Sequence, residues 1–189
     1  MGKNQRGANS LTDNLFFDAD CISAFLWVNE QSIVAQLYSG KIIIPKTVYN
    51  ELSYPRTPHL KQRIDVMIAN GDAITQELMI DNPEYEEYIK MTTNPDTGYK
   101  LIGNGEAVAI ALAKQTNGIL ASNNLRDVKG YVDKYGLRMT TTADILVEAY
   151  NKTIITEQQG NQIWEQMLAR KRKLGANSFT DYLTSHNIK

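Results

Sequence analysis

Four separate stretches of this chain place an acidic side chain where an apolar run ends or a helix begins. Asp18 and Asp20 follow Leu15-Phe16-Phe17 at once. Glu51 lies on a short helical stretch after Lys41-Ile42-Ile43-Ile44-Pro45, and Glu106 opens an Ala-rich helix at Gly105-Glu106-Ala107. Asp127 comes just after Gly118-Ile119-Leu120-Ala121-Ser122 and the pair Asn123-Asn124. Carboxylates brought together repel one another and are costly without a counter-ion. A divalent cation supplies one, and Mg²⁺ prefers such hard oxygen ligands together with water and phosphate oxygens. A site of that kind can activate water and neutralise charge on a reacting phosphorus. Each acid taken alone has a simpler use. Asp18 or Asp20 would cap the following helix, Glu106 at a helix start would favour the macrodipole, and Glu51 and Asp127 would be solvated surface groups. The set is stronger than any member, because all four segments point to one edge of a sheet.

That edge follows from the elements. Residues 15–17, 41–45 and 118–122 read as short buried strands, and Leu137 to Thr140 as a last strand. Ile74 to Ile80 is expected as an edge strand. Helical patterning covers Ala24 to Leu37, a short piece around Val48 to Leu52, residues 60–70, 82–92, 105–113, 125–135 and 143–150. A helical tail is expected over Glu157 to Leu174, with a short segment at Phe179 to Leu183. The alternation predicts an α/β fold: a central parallel sheet flanked by helices on both faces, with a C-terminal helical tail. In such a sheet the ligand crevice lies outside the carboxyl ends of the strands.

Composition sets the limits. The chain has 189 residues, enough for one domain with a short appendage at roughly 100–200 residues per domain. Twenty basic residues face twenty-one acidic ones, for a formal net charge of −1, so a uniformly basic nucleic-acid coat is excluded while a local patch is not. The single cysteine, Cys21, excludes a disulfide framework and a Cys-based zinc site. His59 and His186 show no metal-ligand spacing. The first fourteen residues are polar and lack the apolar stretch of a signal peptide, and no run approaches the ~20 apolar residues of a membrane helix. A cytoplasmic protein with no membrane attachment is the expectation.

The motifs resemble those of PIN-domain ribonucleases, most nearly the VapC-type toxins with a C-terminal helical extension. The resemblance covers roughly residues 14–150 as a PIN-like domain, with 151–189 as the extension packing on it. Phe16-Phe17-Asp18-Ala19-Asp20 is similar to the family's first motif, with Asp18 in the metal-site position and Asp20 an accessory group. Ile44 to Leu52 resembles the second motif, whose acid is Glu51. Gly105-Glu106-Ala107-Val108-Ala109-Ile110-Ala111-Leu112-Ala113 resembles the third and is the most specific. The fourth differs: many relatives have a Thr/Ser-x-Asp or a double Asp where this chain has Ser122-Asn123-Asn124-Leu125-Arg126-Asp127. One branch of the toxins has a Thr-Asn-Asn segment followed closely by an acid, which gives the fourth carboxylate to Asp127. Ser122, Asn123 and Asn124 are then accessory, with Asn124 or Ser122 orienting Asp127.

The resemblance implies a Mg²⁺- or Mn²⁺-dependent endoribonuclease, the toxin of a toxin–antitoxin pair, with Asp18, Glu51, Glu106 and Asp127 as catalytic and metal-binding residues. It also implies an RNA substrate, an antitoxin partner and a homodimer. Asn123 and Asn124 keep a second reading alive, a catalytically inactive PIN-like module that binds RNA or protein. A nucleotide-binding α/β domain would instead need a glycine-rich loop after the first strand, and Gly103-Asn104-Gly105 lacks that context. Cys21 has no nearby histidine in sequence and reads as a small buried residue. Arg170-Lys171-Arg172-Lys173 reads as a solvated helix end, or as a track for an RNA backbone. Ile163, Trp164, Met167 and Leu168 form a stripe suited to core packing or to a protein contact.

Overall fold

A computed structural model describes residues 14–188 of the chain. The polar residues before Asn14, and the expectation placed on them, lie outside the described residues. In chain order the elements are β1 (Leu15–Phe17), α1 (Ala19–Val28), α2 (Gln31–Tyr38), β2 (Ile42–Pro45), α3 (Lys46–Leu52), α4 (Pro58–Ala69) and β3 (Ala73–Gln76). There follow α5 (Tyr85–Thr93), α6 (Asn104–Thr116), β4 (Ile119–Ala121), α7 (Leu125–Tyr135), β5 (Arg138–Thr140), α8 (Thr142–Asn151), α9 (Glu157–Ala169) and α10 (Phe179–Ser185).

The five strands form one all-parallel sheet in the order β3-β2-β1-β4-β5. Their near-continuous apolar runs are what a sheet covered on both faces requires. Side chains alternate between two cores with the strand period of two. Leu15, Phe17, Ile42 and Ile44 enter one core, with α1, α4, α8 and α9. Phe16, Ile43 and Leu120 enter the other, with α6 and α7. Seven consecutive buried residues, Ala107 to Ala113, let α6 pack closely against the sheet.

The chain runs from β1 outward to β2 and β3, then returns to place β4 on the other side of β1. This reversal is a topological switch point, and in open parallel sheets ligands bind at such a point, beyond the carboxyl ends of the strands, here β1 and β4. Residues 18–20 and 122–127 leave the sheet there.

The tail shares the first core: Ile163, Trp164, Met167, Phe179 and Leu183 are buried in it. Leu168 of the apolar stripe stays 36% exposed. Several boundaries differ from the sequence pattern: the stretch from Ala24 to Leu37 divides into α1 and α2, and α5 begins at Tyr85. The helix expected to Leu174 ends at Ala169, because Lys171 turns left-handed at φ 61° and breaks the repeat. The edge strand stops at Gln76, where its pairing with Pro45 of β2 ends. Among the described residues no helix is long and apolar enough to cross a membrane.

Candidate active site

Asp18 follows β1 directly and begins α1. It is 1% exposed. Its Oδ1 accepts the Cys21 amide at 2.7 Å, so the helix-capping use of this residue is real. Capping occupies only one oxygen. Among the described residues, Oδ2 is buried and has no hydrogen-bond partner. Burial pushes the carboxyl up to about 7. The charges of Asp20 and Glu106 add to that rise, while the Ser122 hydroxyl and the Cys21 amide oppose it. The Ser122 hydroxyl lies near enough to favour the charged form without closing a bond to Oδ2.

Glu51 reaches the start of α6 from α3. As a whole residue it keeps solvent access. Its carboxylate, however, lies against the backbone of Gly105, where a Cβ would stand 2.8 Å from Oε1 and 3.2 Å from Oε2. Loss of water there, and then the charge of neighbouring Glu106, raise its pKa, while the Gly105 amide lowers it.

Glu106 sits in the first turn of α6. Its Oε2 accepts the Gly103 amide at 3.1 Å, and its Oε1 accepts Asn124 Nδ2 at 2.6 Å. The same Asn124 amide nitrogen donates to Asp127 Oδ2 at 2.9 Å, so one side chain straps two acids together. Asn124 is itself fixed through its backbone N–H, which donates to Ser122 Oγ at 3.2 Å. Asp127 also faces Lys100 Nζ at 3.4 Å and Arg126 Nε at 3.7 Å. The Asn124 bond, then these cations, hold its carboxyl below the usual range.

Gly105 thus brings Glu51 to the start of α6, Asn124 joins Glu106 to Asp127, and Asp18 lies near enough to Glu106 to feel its charge. Two accessory residues point elsewhere. Asp20 is exposed and pairs with Arg172 at 2.7 Å. Asn123 turns its amide to Thr142, donating to Oγ1 at 2.8 Å and accepting the backbone N–H at 2.9 Å, which ties the loop after β4 to the start of α8. Cys21 is fully buried, and burial pushes its thiol well up. The basic run is neither bare nor a continuous helix end: Arg170 lies over the Trp27 ring at 5.4 Å and Arg172 is spent on Asp20.

Sequence reading missed Gly105 and Lys100. A glycine just inside a helix signals close backbone approach, whereas nothing in the sequence joins Lys100 to Asp127. Among the described residues, no three Asp, Glu, His or Cys side chains are gathered closely enough to form a metal site as they stand.

A family model described as a PIN domain matches residues 15–187. The chain belongs to the PIN-domain family. PIN domains are generally nucleases and generally use divalent metal ions. The match runs through α9 and α10 as well as the sheet, so in this PIN domain the tail falls within the matched region. No curated protein matches the chain.

Proposed function

We propose that this PIN domain is a Mg²⁺- or Mn²⁺-dependent endoribonuclease that hydrolyses RNA phosphodiester bonds, the toxin of a toxin–antitoxin pair. The observation that carries this reading is Asp18 Oδ2: a buried carboxyl oxygen with no partner among the described residues, at the switch point, within reach of the charge of Glu106, which in turn acts on Glu51. A buried acid without a partner is costly, and an all-oxygen donor set short of positive charge fits a hard divalent cation. Asp18, Glu51 and Glu106 would hold the ion. When bound it supplies charge neutralisation and a water made more acidic at neutral pH. Holding one ion requires Glu51 and Glu106 to turn toward Asp18, and both have the solvent access to do so.

The remaining residues position. The Cys21 amide fixes Oδ1 of Asp18 and so directs Oδ2. Asn124 orients Glu106 and Asp127 together, which supports Asp127 as the fourth acid of the proposed site. Lys100 and Arg126 place positive charge beside Asp127, where a phosphate of the RNA backbone is favoured. A cytoplasmic location, a homodimer, an antitoxin partner and the division into 14–150 and 151–189 belong to the same proposal.

The test is thermal melting with Mn²⁺ together with cleavage of a mixed RNA pool. A metal a hundredfold above its Kd should add about 2.7 kcal/mol of stability. Asp18→Asn should abolish both the gain and the cleavage. A second reading, a non-catalytic module binding RNA or protein, has one observation in its favour: Asp127 is already neutralised by Lys100 and Arg126. No metal response and no cleavage would establish it over the first.

A further inference from the structure

We propose that the cleft between the loop after β4 and helix α10 is a nucleobase subsite for single-stranded RNA, holding a base of the strand across that loop from the acids. The choice of ligand rests on the nuclease reading. The cleft has a volume of about 580 Å³ and is lined by Leu125, Lys173, Leu174, Tyr182 and His186. One wall is the loop that serves the acids. Asn123 and Leu125, both in the lining, flank Asn124, whose amide holds Glu106 and Asp127. A ligand in the cleft therefore lies across this loop from the acid cluster, one residue of chain away from Asn124. The opposite wall is tethered to the first turn of α1, two residues after Asp18. Arg172 is bonded to Asp20 at 2.7 Å, and Lys173, Leu174 and Gly175 follow it into the lining.

The lining suits a flat aromatic ligand carrying an anion. The Tyr182 and His186 rings lie nearly parallel, with centroids 4.0 Å apart and planes at 23°. Both are held in advance. The Tyr182 hydroxyl donates to Asp144 Oδ1 at 3.2 Å, and His186 Nδ1 lies 2.9 Å from the Tyr182 carbonyl. His186 is exposed and Leu125 is 51% exposed, so a base can extend the stack and cover both. Base stacking on such rings tolerates any sequence. Lys173 offers a cation to the phosphate. Asp144 is the acid of the lining, with Oδ2 already accepting from Thr141. It repels a phosphate and accepts from a base amino group, which orients the base inward and the phosphate outward.

The experiment uses the full chain carrying Asp18→Asn and a single-stranded RNA oligonucleotide of mixed sequence containing 4-thiouridine. Ultraviolet crosslinks are mapped by mass spectrometry. Adducts on Tyr182, His186 or Leu125 are expected. Fluorescence anisotropy should show affinity falling ~10-fold in a Lys173→Ala, His186→Ala double variant, the scale of one lost stacking partner. Both residues are exposed, and an unchanged melting temperature checks that the variant folds. Adducts confined to other surfaces, no RNA binding at all, or an unaltered affinity would overturn the subsite. So would protection of His186 by a protein partner with no RNA adduct there. The unsubstituted chain separates the two readings. Mn²⁺-dependent cleavage without adducts in the cleft overturns the subsite alone. Adducts in the cleft without metal response or cleavage sustain the subsite and overturn the nuclease.

Discussion

Glu51 Oε1 occupies the ground that any side chain at Gly105 would need, 2.8 Å from where its Cβ would stand. Helix α6 thus begins with a glycine at the point where α3 delivers its acid. Gly105→Ala sets two effects against each other. Alanine favours the helix by up to about 1 kcal/mol. The clash falls on the far end of a flexible side chain, which can swing away at little cost. Stability should therefore hold within a few degrees, while Mn²⁺ affinity and RNA cleavage each drop ~10-fold, about 1.4 kcal/mol, so that the Mn²⁺-induced rise in melting temperature shrinks to about half at a concentration a hundredfold above the parent's Kd. Full cleavage by this variant would show that the position of Glu51 is dispensable.

Asp18 gives a prediction with a definite sign. Its carboxyl is raised from 3.8 to about 7, chiefly by burial. Below about pH 3 it is protonated whether the chain is folded or not, so it adds nothing to the pH dependence. Between those values the unfolded chain ionises first, and the folded state loses stability until the loss is complete above pH 7. In EDTA, Asp18→Asn should therefore melt higher than the parent at pH 8, and the gap should close as the pH falls to about 3. Asparagine still caps α1, which isolates the charge effect. A lower melting point at pH 8 would contradict the burial of an uncompensated carboxyl.

Asn124 bridges Glu106 and Asp127 with one nitrogen. Groups that act as a unit give non-additive losses when removed. Asn124→Ala and Asp127→Ala should each reduce cleavage, and the double variant should lose far less than the product of the two. Multiplicative losses would mean that Asp127 acts independently of the strap.

Much of this arrangement was legible before any coordinates. The three central strands are short, apolar and continuous, so their burial reads directly from residue type, and the alternation with helices implies a parallel sheet. The four acid-bearing segments follow from that topology. What stayed hidden are relationships that leave no local mark. Arg172 meets Asp20 across 152 positions of chain. The end of α9 depends on a lysine taking a left-handed backbone, a conformation that sequence marks reliably only at glycine or asparagine. Asn123 and Asn124 look equivalent in sequence. Yet one amide anchors the loop to Thr142 and the other serves the acids, because neighbouring side chains leaving a strand end face different ways.

Glu87 on α5 accepts from Tyr135 of α7 at 2.5 Å and pairs with Lys90 and Lys134. Its carboxyl is held down to about 2 against an ordinary 4.5, the Tyr135 hydroxyl being the largest cause. A depressed acid stabilises the fold above its unfolded value and loses that contribution as pH falls through the folded one. Glu87→Gln should melt below the parent at pH 7, and the gap should close as pH drops from 4.5 toward 2. Paired melting curves across that window check it, and a gap independent of pH would assign the effect to packing.

Gly160 on α9 faces the ring of Phe179 on α10, and a Cβ there would lie 2.3 Å from Cδ1. Unlike Glu51, this neighbour cannot move aside. Phe179 is fully buried between Trp164, at 5.8 Å, and Tyr150, at 5.9 Å. Gly160→Ala should therefore be destabilising despite the gain in helix propensity. Overpacking costs about 1–3 kcal/mol against up to about 1 kcal/mol gained. At about 2–4 °C per kcal/mol for a chain of this size, the melting temperature should fall by several degrees. Phe179→Leu in the same background should recover part of the loss by shortening the obstructing side chain. Limited proteolysis of Gly160→Ala should cut between α9 and α10, since α10 is held to the core through this contact. A rise in melting temperature would show that Phe179 repacks freely and that α10 is not fixed by it.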